Sequence, residues 1–66
     1  MVRITLNGAD RDVAAATLED LIAELGMADQ RLAAERNREL VPRRLWPATP
    51  LHPGDRLEIV QMVGGG

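Results

Sequence analysis

Residues 2–8 read Val2-Arg3-Ile4-Thr5-Leu6-Asn7-Gly8 and combine a strand pattern with a turn pattern. Apolar and polar side chains alternate over the first five positions, which is typical of a strand that buries one face. Asn7 and Gly8 both tolerate a positive φ angle, so this pair favours a tight hairpin turn. A short returning strand is expected over residues 10–14, with Val13 as its one large apolar side chain.

The next predicted element is an amphipathic helix that begins after Thr17. The Thr17 hydroxyl can cap the backbone N–H of Asp20. Apolar side chains then recur at helical spacing, at Leu18, Leu21, Ile22 and Leu25. Gly26 follows where a helix commonly ends on a residue in the left-handed conformation. Because so short a helix is not stable alone, its apolar stripe must pack against a sheet.

Three further strands are expected in the second half of the chain. Residues 32–37 and 40–41 form two of them, joined by a turn at residues 37–39, and the last strand covers residues 56–63. Pro42 has no N–H to donate, so the fourth strand lies at a sheet edge or ends there. A single helical turn is expected at residues 43–46, with Trp46 filling one end of the core.

This order of elements predicts an α+β fold of two layers. One main helix covers one face of a mixed sheet of four to five strands. The first and last strands are the most apolar and suit the sheet centre. That arrangement is the β-grasp, or ubiquitin-like, fold. We expect one domain at residues 1–63 and a flexible glycine tail at residues 64–66, because glycine loses the most entropy on ordering.

The composition argues against an enzyme. The chain has 66 residues, of which 45% are hydrophobic and 27% charged, so it forms one small globular domain with a thin core. The absence of cysteine excludes disulfides, thiolate metal sites and a cysteine nucleophile. His52 has no partner spaced to orient it as an acid or base. We therefore expect a carrier, an adaptor or an inhibitor, with no metal site and no bound cofactor.

Charge and hydropathy limit the partners and the location. A net charge of −2 argues against binding nucleic acid through phosphate neutralisation. No apolar run approaches the roughly 20 residues that cross a bilayer, so no membrane association is expected. The N-terminal residues lack the continuous apolar stretch of a signal peptide, which predicts a cytoplasmic protein.

The run Gly64-Gly65-Gly66 follows a strongly patterned strand and is the most informative feature of the chain. A tail without Cβ atoms can thread a narrow channel, and no side chain hinders attack at its last carbonyl. A free α-carboxylate has a pKa of about 3.3–3.7 and is anionic at neutral pH, so it must be activated, for example as an acyl-adenylate. The chain has no phosphate-binding glycine loop, so a partner enzyme would have to activate Gly66 with ATP.

The last strand suggests where such a partner would dock. Leu57 and Ile59 point to one face, whereas Glu58, Val60 and Met62 point to the other. An outward face is expected to be polar, and Val60 and Met62 are not. Two interpretations stay open: ordinary scattered apolar residues on the surface, or a small docking patch that leads to the tail.

Over its whole length, the chain resembles the ThiS family of small sulfur carriers in thiamin biosynthesis. The resemblance rests on Asn37, on Val41-Pro42-Arg43 with Trp46, on Leu51 with Gly54-Asp55, and on the end Glu58-Ile59-Val60-Gln61-Met62-Val63-Gly64-Gly65-Gly66. Molybdopterin carriers and other ubiquitin-like proteins share the terminal diglycine. The Val-Pro-Arg run with its tryptophan is more specific to the ThiS family.

The resemblance implies a reaction cycle at Gly66. A ThiF-type adenylyltransferase uses ATP to adenylate the terminal carboxylate, and a sulfur donor system converts the adenylate into a thiocarboxylate. The thiazole synthase ThiG then takes the sulfur into the thiazole ring. In this cycle Gly64 and Gly65 give access to the carbonyl, and Glu58, Val60 and Met62 lie on the partner surface. Two alternatives are a carrier of the molybdopterin (MoaD-like) type and a β-grasp binding module that carries nothing.

Overall fold

A computed structural model describes residues 1–63, and the glycine tail predicted to be flexible lies outside the described residues. The elements in chain order are β1 (Val2–Leu6), β2 (Ala9–Val13), α1 (Leu18–Glu24), β3 (Leu32–Arg36), β4 (Glu39–Leu40), a 3₁₀ helix (Arg43–Ala48) and β5 (Arg56–Gln61). Their number and order are as predicted from the sequence. The bounds differ slightly: β2 and β4 lie one residue earlier than expected, and β3 ends one residue earlier. β5 ends at Gln61 instead of residue 63, and the 3₁₀ helix continues two residues past the expected end at residue 46.

The five strands form one mixed sheet in the order β2-β1-β5-β3-β4. β1 pairs with β5 in parallel, and the other neighbours are antiparallel. β5 therefore lies at the centre with β1 beside it, as the apolar patterns of these strands predict. The helix covers one face of this sheet, and the architecture confirms the predicted β-grasp fold.

The core lies between α1 and that face of the sheet. Leu18, Leu21 and Ile22 of α1 are fully buried. They pack in a cluster with buried side chains from the sheet and loops, namely Ile4, Val13, Ala15, Leu32, Ala34, Trp46, Leu51, Leu57 and Ile59. Burying these side chains supplies most of the stabilisation of so small a domain, at about 25 cal/mol for each Å² removed from water.

Local signals in the sequence place the helix and the first turn. The Thr17 hydroxyl accepts a hydrogen bond from the Asp20 N–H at 3.1 Å, as expected of a helix cap. Gly26 ends the helix with a φ of 74°, and the β1–β2 turn has positive φ at both Asn7 and Gly8. Within residues 1–63, no helix combines the length and the apolar character needed to cross a membrane.

Candidate functional site

The predicted docking residues lie on the exposed side of the central strand. Glu58 and Val60 point away from the core, while Leu57 and Ile59 point into it. Met62 follows the strand and continues its pairing, since its N–H donates to the Arg31 carbonyl at 2.9 Å. The exposed fractions of 56% for Val60 and 49% for Met62 show that both side chains are available to a partner. Their docking role stays a prediction.

Strand pairing brings further side chains to this surface. Antiparallel register places Ala33 opposite Val60 and Glu35 opposite Glu58, and it places Leu40 of β4 opposite Glu35. Residues paired in this way share one face of a sheet. We call the surface formed by Glu35, Leu40, Glu58, Val60 and Met62 the outer face. Sequence reasoning missed Leu40, which is 67% exposed, because the register of a two-residue strand cannot be read from its own pattern.

A shallow groove of about 520 Å³ runs along the outer side of β1 and β5, next to Val60. It is lined by Thr5, Asn7, Gly8, Arg56, Glu58 and Val60. Its walls combine an apolar side chain with a carboxylate and a guanidinium group. The groove can therefore accept a partner side chain that has both an apolar part and a polar end.

Asn7 joins the first turn to the last strand. Its carboxamide Oδ1 accepts from the Ile59 N–H at 2.9 Å, and its Nδ2 donates to the Ile59 carbonyl at 3.1 Å. From the sequence, Asn7 is understood only as a turn residue. Nothing in the local pattern indicates a contact with a residue 52 positions away.

Asn37 plays a comparable part at the other end of β5. It has a φ of 51°, and its Oδ1 accepts from the Arg56 N–H at 2.9 Å. Its Nδ2 donates to Oδ1 of Asp55 at 3.1 Å. The buried Asp55 carboxylate also accepts the His52 N–H at 2.8 Å, so Asp55 closes the turn before β5. The two asparagines thus bind the first and the middle part of the same strand.

The Val-Pro-Arg run and Trp46 form a structural unit. Trp46 is buried, as predicted, and its Nε1–H donates to the Val41 carbonyl at 2.9 Å. The Arg43 guanidinium stacks on the indole, 4.7 Å from its centroid. The same guanidinium donates to the carbonyls of Ala28 and Gln30, at 2.7 and 3.1 Å. Arg43 therefore holds the loop between α1 and β3 against the indole of Trp46.

Within residues 1–63, an ion pair between Arg3 and Asp12 links β1 to β2. Two hydrogen bonds from the Arg3 guanidinium, at 2.9 and 3.0 Å, lower the pKa of the Asp12 carboxyl, and desolvation of the carboxylate opposes this shift. The stabilisation is therefore present at neutral pH and is lost as the pH falls through that lowered pKa. Because both groups are exposed, the pair holds the hairpin with little effect on total stability.

The described part of the chain offers little reactive chemistry. Residues 1–63 contain no group of three His, Cys, Asp or Glu side chains that could hold a metal ion. His52 is exposed in a loop, and its described hydrogen bonds are made by the backbone N–H and carbonyl, not by the imidazole. The predicted carrier site at Gly66, with Gly64 and Gly65, lies outside the described residues. The described residues therefore concern two questions: where a partner enzyme would bind, and how the end of β5 is oriented toward that enzyme.

Comparison with known sequences relates the chain to one family and to several individual proteins. The model of the ThiS family matches residues 4–66. The sulfur carrier protein ThiS of Bacillus subtilis is 33% identical over 67 residues, covering 96% of this chain and 98% of that protein. A thiazole synthase of Paramagnetospirillum magneticum is 39% identical over 66 residues, covering 98% of this chain and 20% of that protein. The chain spans about a fifth of the length of the curated thiazole synthases that it matches.

Comparison with solved structures agrees with the sequence matches. The crystal structure of the thiamine biosynthesis protein ThiS from Geobacter metallireducens superimposes with a TM-score of 0.83. The two sequences are 29% identical, and the match covers 98% of this chain and all of that one. A solution structure of a thiamine biosynthesis protein from the same organism gives a TM-score of 0.78.

Proposed function

The chain belongs to the ThiS family of sulfur carriers in thiamine biosynthesis, and from this membership we propose that Gly66 carries the sulfur as a C-terminal thiocarboxylate. One observation supports this most strongly: the family match extends through residue 66 and so includes all three glycines. As a carrier, the protein is a co-substrate of other enzymes and is not itself a catalyst.

The proposed chemistry has two steps at the Gly66 carboxyl group. A carboxylate oxygen attacks the α-phosphorus of ATP on a ThiF-type adenylyltransferase, and pyrophosphate leaves. Hydrosulfide delivered by a sulfur donor system then attacks the acyl carbon, AMP leaves with the oxygen that it had taken, and the thiol proton is released. The product holds sulfur in place of one carboxyl oxygen. Since ATP acts on the partner enzyme, this chain needs no bound cofactor.

We propose thiazole synthase, ThiG, as the acceptor of the sulfur. Support comes from two proteins named thiazole synthase that contain a segment 39% identical to this chain within a much longer polypeptide. A carrier-like domain joined to a synthase in one chain is expected where the two act on each other, because linkage raises their effective concentration. After the sulfur has been transferred, an oxygen atom from water takes its place on the acyl carbon. The Gly66 carboxylate is then restored for another cycle.

The outer face suits the docking that both transfers require. Leu40, Val60 and Met62 provide exposed apolar area on the surface of the sheet. Glu35 and Glu58 stand between them in the register and add negative charge. Exposed apolar side chains with polar neighbours are typical of protein interaction sites. The adenylating enzyme is expected to contact this face while it holds the glycine tail.

Val60→Asp is expected to weaken binding to the adenylating enzyme about tenfold or more, because it places an unpaired charge in an apolar contact. Val60 is more than half exposed, so the free domain should keep its melting temperature within a few degrees. The binding is measured by calorimetry and the melting by circular dichroism.

Ala48→Asp is the matched control, because it adds the same charge at an exposed position on the 3₁₀ helix. It should bind like the unmodified chain. Unchanged binding by Val60→Asp would exclude the outer face as the docking surface. Melting of the domain by that variant would show that the face is wrongly assigned.

The function itself is tested by pyrophosphate exchange and by genetic complementation. The chain should stimulate exchange between ATP and pyrophosphate on a ThiF-type enzyme. It should also restore growth without thiamin to bacteria that lack their own ThiS-type carrier. Restored molybdopterin synthesis without restored thiamin synthesis would favour the MoaD-like alternative. No exchange with an active enzyme would favour a binding module that carries nothing.

A further inference from the structure

The backbone pairing between β1 and β5 ends before β5 itself ends. Their parallel register pairs Thr5 with Arg56 and Leu6 with Leu57, and the Asn7 N–H donates to the Leu57 carbonyl at 2.9 Å. The chain then turns away into β2, with positive φ angles at Asn7 and Gly8. The remainder of β5, residues 58–61, therefore extends past the end of β1.

The side chain of Asn7 replaces the missing pairing. Its carboxamide offers one acceptor and one donor, which a further peptide group of β1 would also offer, and both bind the backbone of Ile59. Among residues 1–63, no later residue of β5 has a described hydrogen bond on the β1 side. Met62 binds on the opposite side, to Arg31. Asn7 is thus the last described support of β5 on the β1 side before the glycine tail.

We propose that Asn7 is a positioning residue, which fixes the direction in which β5 leaves the sheet toward Gly66. Asn7 is itself exposed, so its role is not to fill the core. Ile59 lies between Glu58 and Val60, and holding its backbone also holds their outward orientation. The inference rests on the proposed function, because it concerns how the docking residues and the tail reach an adenylating enzyme together.

A physical consequence follows for adenylation. Without the carboxamide, the end of β5 would sample several directions, and only a fraction of the molecules would present the tail correctly. Apparent affinity falls in proportion to that fraction, whereas the rate in the bound complex does not change. Loss of Asn7 should therefore raise KM and leave kcat unaltered.

Asn7→Gly tests this directly, and Asn37→Gly is its matched control. Glycine accepts the positive φ at either position, so both turns are kept and only the carboxamide is lost. Each substitution removes two hydrogen bonds to β5 or to the turn before it. Similar losses of stability are expected. Only Asn7, however, binds the half of β5 that leads to the tail.

In adenylation assays with a ThiF-type enzyme, Asn7→Gly should raise KM about tenfold with an unchanged kcat. Asn37→Gly should leave KM within about twofold of the unmodified chain. Asn7→Asp keeps the acceptor for the Ile59 N–H but sets a carboxylate oxygen against the Ile59 carbonyl, so its KM should also rise. Equal KM values for the two glycine variants would overturn the proposal.

Amide hydrogen exchange on the free protein separates this inference from the proposed function. In Asn7→Gly, the amides of Ile59 and Met62 should exchange about tenfold faster than in Asn37→Gly. Unchanged exchange at both amides would overturn the positioning role. If the unmodified chain is not adenylated at all, the proposed function fails, and the exchange pattern still decides whether Asn7 holds the end of β5.

Discussion

Removal of Gly65 and Gly66 is expected to abolish adenylation by a ThiF-type enzyme. The proposed acyl-adenylate forms at the carboxyl group of Gly66, and a chain that ends two residues earlier cannot extend its carboxylate as far. Each residue contributes at most about 3.3–3.6 Å, so the loss of reach is roughly 7 Å. A displacement of even 1 Å at a reacting centre can lower the rate about 100-fold. Pyrophosphate exchange should fall to the level measured without the chain.

Gly64→Ala is the control for this truncation. It adds one methyl group, keeps the chain length and leaves two glycines at the end. Because the length of the tail is kept, exchange activity well above that of the truncated chain is expected, and any smaller loss measures how much the added methyl group hinders access. Binding of the truncated chain to the enzyme should also persist, because the outer face is intact. If the truncated chain is still adenylated, or still supports thiazole formation in cells, Gly66 is not the carrier site.

Trp46→Ala is expected to remove roughly a third or more of the free energy of unfolding. Truncation of a buried tryptophan typically costs about 3–5 kcal/mol. At about 0.05–0.15 kcal/mol per residue, a domain of this length is stabilised by about 3–10 kcal/mol in total. The indole also packs under the Arg43 guanidinium, so its loss releases the loop between α1 and β3. Urea unfolding followed by circular dichroism measures the effect.

Trp46→Phe separates the volume of the ring from its hydrogen bond. Phenylalanine keeps most of the buried surface but cannot donate to the Val41 carbonyl. A smaller loss, about 1–3 kcal/mol, is therefore expected. If both variants unfold at the urea concentration of the unmodified chain, Trp46 does not carry the core contribution assigned to it.

The fold was predictable because its signals are local. Alternation in β1 and β5 depends on neighbouring residues, and so do the Thr17 cap and the turn at Asn7 and Gly8. The β3–β4 turn was harder, because Arg38 adopts a φ of 72° without being a glycine. An arginine gives no sign of that conformation in the sequence. The turn was predicted at residues 37–39, whereas the structure has it at residues 37–38.

The candidate site was predictable only in part. Glu58, Val60 and Met62 share one face because they alternate along one strand, and this can be read from the sequence. Leu40 joins the same surface through strand register, which depends on pairing with β3. The bonds of Asn7 to Ile59 depend on how the first and last strands meet. Such contacts between distant residues are fixed by tertiary packing and leave no pattern in either segment.

The most direct test of the central claim is the intact mass of the protein after incubation with ATP, a ThiF-type enzyme and a sulfur donor. Replacement of one carboxyl oxygen by sulfur should add about 16 Da. The gain should require ATP and should be absent from the chain that lacks Gly65 and Gly66. An unchanged mass, with an enzyme shown to be active on another carrier, would contradict the assignment of Gly66 as the sulfur-bearing residue.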